Sequence, residues 1–208
     1  MELIQGIFYV VILMLSVIIH EIAHGYAALS QGDPTAKLSG RLTMNPIKHL
    51  DPIGSIFLPL ILVLTNAGFI IGWAKPVPYN PNNLRNFKWG TILVASAGII
   101  SNLVLAIVFG LLIRFSPVLG LTAPGILQAF SAIVIVNIVL AIFNLIPIPP
   151  LDGSKILFSL LPAKYYNVQR FLEQYSLVIL LFFIFFLWQS IAMPILYFLF
   201  LLLTGISL

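Results

Sequence analysis

The sequence predicts an all-α polytopic membrane protein of about four full transmembrane helices and one re-entrant segment, with five or six spans as the alternative count. Three observations predict it. Hydrophobic residues fill 61% of the 208 positions and charged residues 8%, where a soluble domain carries about 25% charged. Several apolar runs reach the roughly 20 residues that a helix needs to cross a bilayer. The charged residues fall mostly between those runs. There is no cysteine, which excludes disulfides and thiolate metal ligands. A net charge of +4 held mostly in connecting loops suits membrane orientation rather than nucleic-acid binding.

Four runs are long enough to span, at about 3–29, 91–115, 123–148 and 176–204. The first begins after Glu2 and has no Lys or Arg before Lys37, unlike the basic n-region of a cleaved signal peptide, so it is expected to stay in the mature chain. A fifth run, 53–71, contains Pro59, Asn66 and Gly68. If it dips in and returns, Lys37, Arg41, Lys48, Lys75, Arg85, Lys88, Lys155, Lys164 and Arg170 share one side and Arg114 lies on the other. Basic loops favour the cytoplasm, so the dip is expected to be re-entrant with the N-terminus outside. Its flanks, "SGRLTMNP" and "FIIGWAKPVPYNP", carry β-formers with Gly and Pro and are expected to form short strands near the cytoplasmic face. Pro194 is expected to kink or split the last span. The whole of 1–208 is expected to be one domain, with 38–82 as its β/re-entrant region and 123–157 carrying a helix and its "LDG" end.

Residues 18–27 read "IIHEIAHGYA". His20 and His24 stand four apart and share a helix face, so both imidazoles can reach one zinc. Glu21 between them can act as general base on the water that such a metal binds. An ionisable residue at mid-membrane costs about 2.5–3.5 kcal/mol on insertion scales, and a metal in a watery cavity would compensate three of them. A catalytic zinc usually takes three protein ligands. The other candidates are His49, Asp51 and Asp152; Asp33 sits in the turn "QGDPT", and Glu2 and Glu173 look terminal or loop-exposed. Asp152 is best placed, because Pro147, Pro149 and Pro150 break the helix before it and Gly153 permits a turn. His20 lies about 9 residues, or about 13 Å, from the inner end of its span, a depth that the broken segment can reach. His49 and Asp51, before Pro52, are expected to support the structure.

With those residues, the chain resembles the site-2 protease family of intramembrane zinc metalloproteases. The stretches that carry the resemblance are "HEIAHGYAA", "GRLTMNPIKHLDPIGSIFLP", "GWAKPVPYNP", "ASAGIISNLVLA" and "FNLIPIPPLDGSKIL", in that order. The resemblance implies one zinc held by His20, His24 and Asp152, with Glu21 as catalytic base. It implies that Asn144 binds substrate or stabilises the oxyanion, and it groups with it Asn102, at a further family position on the central helix beside the site, as a substrate-binding or oxyanion residue. Gly98-Ile99 departs from the Gly-Pro usual there. The 115–123 connection has no room for a PDZ domain, and the chain stops without a CBS domain, so a minimal catalytic core is expected.

The implied activity is hydrolysis of peptide bonds within transmembrane segments of membrane-protein substrates. The substrate helix must unwind first, and "GWAKPVPYN" is expected to pair with it as an added strand. The implied location is the prokaryotic cell (inner) membrane, with the site toward the cytoplasmic side. The alternative is a zinc-transporting or zinc-binding membrane protein without proteolytic activity. A third reading is a silent scaffold for transmembrane helices.

Overall fold

The computed structural model describes residues 2–57, 61, 64, 65, 74–121 and 123–208. Long helices dominate it. We label them α1 (Glu2–Ser30), α2 (Phe87–Arg114), α3 (Pro124–Leu145), α4 (Asp152–Leu160), α5 (Tyr166–Gln174) and α6 (Ser176–Thr204). Four of these, α1 from Gly6 onward, α2, α3 and α6, are long and apolar enough to cross a membrane. The chain is an integral membrane protein. Large apolar side chains such as Val10, Ile100, Val104 and Phe198 face outward, as a lipid solvent allows.

Each boundary has a local cause. The Asn86 side chain accepts a hydrogen bond from Trp89 N at 2.9 Å, and this cap starts α2 earlier than the apolar run alone suggests. Pro124 opens α3 at a first-turn position, where its missing N–H costs nothing. The α3 helix stops at Leu145, short of the expected 148, because Pro147 disfavours helical backbone at Ile146. Pro194 neither splits nor ends α6. Wide, π-type turns over Phe183–Ala192 precede it.

The α2 helix is the centre of the bundle, packed against α1, α3, α4 and α6. One core joins Ala106 and Ile113 to Val134, Ile138, Leu196 and Phe200. A second holds Ala28, Leu84 and Val94 at the other end. Ile146, Ile148 and Leu151 form a third against Ile179, Leu180 and Phe183, which seats the proline-rich link on α6. Arg114 Nη1 donates to Leu202 O at 2.7 Å and ties the far ends of α2 and α6.

The expected strands are absent among the described residues. Residues 39–46 and 74–80 form no strand, and 69–73 lie outside the described residues. Instead of a ladder, the buried Arg41 guanidinium donates to the carbonyls of Lys48, Lys75 (2.8 Å) and Pro76 (3.1 Å). One backbone bond, Lys75 N to His49 O at 2.8 Å, accompanies it. Pro76 and Pro78 remove alternate donors that a ladder needs, and Pro81 removes a third just beyond them. The expected dip over 53–71 begins with a helical turn at Pro52–Phe57 and then lies largely outside the described residues.

Candidate metal centre

The α1 helix brings His20 and His24 onto one face, where both are buried. Their rings stand at 90° with centroids 4.6 Å apart. They lie directly against α2 at Gly98. A Cβ at this position would fall 2.5 Å from His20 Cε1 and 2.6 Å from His24 Cε1. Only glycine lets α2 pass so close to two imidazoles.

Asp152 arrives from the other side. It is not on an unwound segment, as the proline pattern suggested, but is the first residue of α4, where a helix N-terminus favours a carboxylate. The link from α3 turns tightly through hydrogen bonds from Ile148 N to Ile146 O and Leu151 N to Ile148 O. Gly153 permits the approach, since a Cβ there would sit 2.3 Å from Leu145 O.

Three atoms converge. His20 Nε2 and His24 Nε2 are 3.0 Å apart, and Asp152 Oδ2 lies 3.1 Å and 3.0 Å from them. Tetrahedral ligands on a zinc at about 2.0–2.1 Å stand about 3.3 Å apart, close to this triangle. Proton placement strengthens the fit. His24 Nδ1 faces Val94 O at 2.7 Å, and a carbonyl can only accept, so Nδ1 carries the proton. His20 Nδ1 faces Asn102 Oδ1 at 2.6 Å and likewise donates. In neutral imidazoles both Nε2 atoms are then bare lone pairs, aimed at each other and at a carboxylate oxygen. Such a cluster calls for a cation, and donation from the far ring nitrogen is how metal-bound histidines are commonly held. Lys155 Nζ occupies the other carboxylate oxygen, Asp152 Oδ1, at 2.9 Å and leaves Oδ2 to face the histidines.

Glu21 is half-buried, and its Oε2 accepts from Val77 N at 2.8 Å. Asn102 is fully buried behind His20 rather than in front of it, with Oδ1 on His20 and Nδ2 donating to Asn137 Oδ1 at 2.8 Å. Both of its polar atoms are engaged by these two side chains. Asn144, half-buried, donates to Leu140 O of its own helix at 3.0 Å. His49 is buried and donates from Nε2 to Thr43 O at 2.8 Å, and Asp51 accepts from Ile53 N and Gly54 N to start the next helical turn. Among the described residues, His20, His24 and Asp152 are the one group placed to share a metal. Sequence reasoning missed Asn137, Ser16 and Lys155. An Asn seven residues before Asn144 in an otherwise apolar run was the available signal for the first.

A family model described as "Peptidase family M50" matches residues 120–187. "Putative zinc metalloprotease YwhC" of Bacillus subtilis is 42% identical over 179 residues, covering 84% of this chain and 78% of that protein. "Putative zinc metalloprotease Rip2" of Mycolicibacterium smegmatis is 32% identical over 152 residues, 71% of this chain and 56% of that protein. Its counterpart of the same name in Mycobacterium tuberculosis is 29% identical over 180 residues, 85% of this chain and 66% of that protein. The chain thus spans only a little over half of the M. smegmatis relative. No solved structure matches it at a significant level. The chain belongs to peptidase family M50, the site-2 protease family.

Proposed function

We propose that this protein is a zinc-dependent intramembrane endopeptidase that cleaves transmembrane segments of membrane-protein substrates. The observation that carries the reading is the convergence of His20 Nε2, His24 Nε2 and Asp152 Oδ2 within 3.0–3.1 Å, with both Nδ1 protons committed elsewhere. These three residues are the ligands we assign to one zinc. Bound there, zinc supplies Lewis-acid polarisation of the scissile carbonyl and lowers the pKa of the attacking water.

The chain's own residues do the rest. Glu21 takes a proton from the water onto a carboxylate oxygen and passes it to the leaving amide nitrogen. Val77 N–H holds Oε2 and so orients the carboxylate; among the described residues no hydrogen bond engages Oε1. Asn144 is the donor we assign to the developing oxyanion. Its amide rests on Leu140 O, and a rotamer change frees it. Asn102 orients His20 from behind. Residues 1–208 act as one catalytic unit.

The location we assign is the prokaryotic cell (inner) membrane, with the site toward the cytoplasmic side. Lys37, Lys48, Lys75 and Lys155 near this end of the chain's spans support that orientation. The Glu21→Gln protein with a membrane-inserted substrate provides the test. It should retain one zinc per chain and lose cleavage; continued cleavage would remove Glu21 from the base role.

A further inference from the structure

Behind His20 runs a chain of buried polar groups across three helices. Ser16 and His20 stand one turn apart on α1, Asn137 lies on α3 and Asn102 on α2. Asn102 and Asn137 are fully buried, and Ser16 nearly so. We propose that Asn137 is a positioning residue that fixes the orientation of the Asn102 amide, and through it the proton on His20 Nδ1.

The direction of every bond follows from one carbonyl. Asn137 lies 2.9 Å from Ile133 O, which can only accept, so the atom facing it is the amide nitrogen. That nitrogen's other hydrogen reaches Ser16 Oγ at 2.9 Å. Asn137 Oδ1 must then point at Asn102, whose nitrogen donates to it at 2.8 Å. Asn102 therefore presents its oxygen, not its nitrogen, to His20 Nδ1. A backbone carbonyl of α3 thus decides which nitrogen of an α1 histidine is bare.

Without Asn137, His20 itself is the one remaining side-chain partner of the Asn102 amide among the described residues. A flipped amide would donate to His20 Nδ1, drive the proton to Nε2 and block the atom that faces His24 and Asp152. Helix adhesion alone, the ordinary use of membrane asparagines, would need the hydrogen bonds but not their direction.

The inference rests on the metal reading, and its test separates the two. Zinc affinity of the full chain in detergent is measured by chelator competition. Asn137→Leu should weaken it about 10–100-fold, the usual effect of losing a group that orients a ligand. Adding Asn102→Asp to that variant should restore it, because a carboxylate accepts from Nδ1 whichever way it is turned. An equal loss with Asn or Asp at 102, or no loss at all, would overturn the proposal. Should the Leu variant fail to fold, nitrogen-15 NMR of histidine-labelled, metal-stripped wild type decides. A hydrogen on His20 Nδ1, with or without one on Nε2, supports the proposal and a bare Nδ1 overturns it, whether or not zinc is the physiological metal.

Discussion

Glu21 Oε2 accepts a hydrogen bond from Val77 N at 2.8 Å, across 56 residues of sequence. Arg41 makes this contact possible. Its guanidinium grips the carbonyls of Lys75 and Pro76, so the next N–H along the chain points at the carboxylate. Val77→Pro removes this donor and leaves the flanking backbone in a conformation that prolines already share. Cleavage should slow about tenfold, the worth of one hydrogen bond to a charged group, with zinc content unchanged. Unaltered turnover would mean that the strap does not orient the base.

Gly98 separates helix stability from metal binding. Alanine in mid-helix is about 1 kcal/mol more favourable than glycine. Here its methyl would collide with both imidazoles. Gly98→Ala should keep its helix content by circular dichroism and lose zinc affinity by at least about tenfold. Wild-type affinity in that variant would show that the close approach is dispensable.

Asn144 should matter only in the transition state. Asn144→Ala should lower kcat by about 10²–10³, the scale for one oxyanion donor, with KM and bound zinc little changed. A rise in KM at constant kcat would instead make Asn144 a substrate-binding group.

Asp33 should govern acid stability. It looked like an ordinary turn residue, yet it is fully buried and takes hydrogen bonds from Thr35 N (3.1 Å), Thr35 Oγ1, Asn80 N (2.7 Å) and Asn83 Nδ2 (2.9 Å). Burial alone would raise its pKa, but these donors outweigh burial and hold the carboxyl below the ordinary range. A depressed folded pKa gives stability that is fully present above the unfolded value of about 3.9 and lost as pH falls through the folded one. Asp33→Asn should therefore cost about 1.5–3 kcal/mol at neutral pH. In denaturation series, the gap to wild type should narrow below about pH 4; a gap that stays constant down to pH 2 would rule out this origin.

Local chemistry carried most of the fold and the candidate ligands. Long apolar runs set the four spans, because a bilayer fixes the length of an uninterrupted helix. The i, i+4 spacing put His20 and His24 on one face, and the three prolines before Asp152 marked where α3 had to stop. The strands misled, since β-formers in "SGRLTMNP" and "AKPVPYNP" cannot build a ladder when prolines take away its donors and Arg41 claims its carbonyls.

Only the tertiary structure decided what stands behind the histidines: Asn102 on His20, Val94 O on His24, Gly98 between them, and Asn137 with Ser16 holding Asn102. The reason is physical. In lipid, α2 and α3 are apolar nearly all round, toward neighbours and bilayer alike, so no periodicity tells which face turns inward. That rotation is set by how closely the helices pack, and it determines which buried amide meets which imidazole.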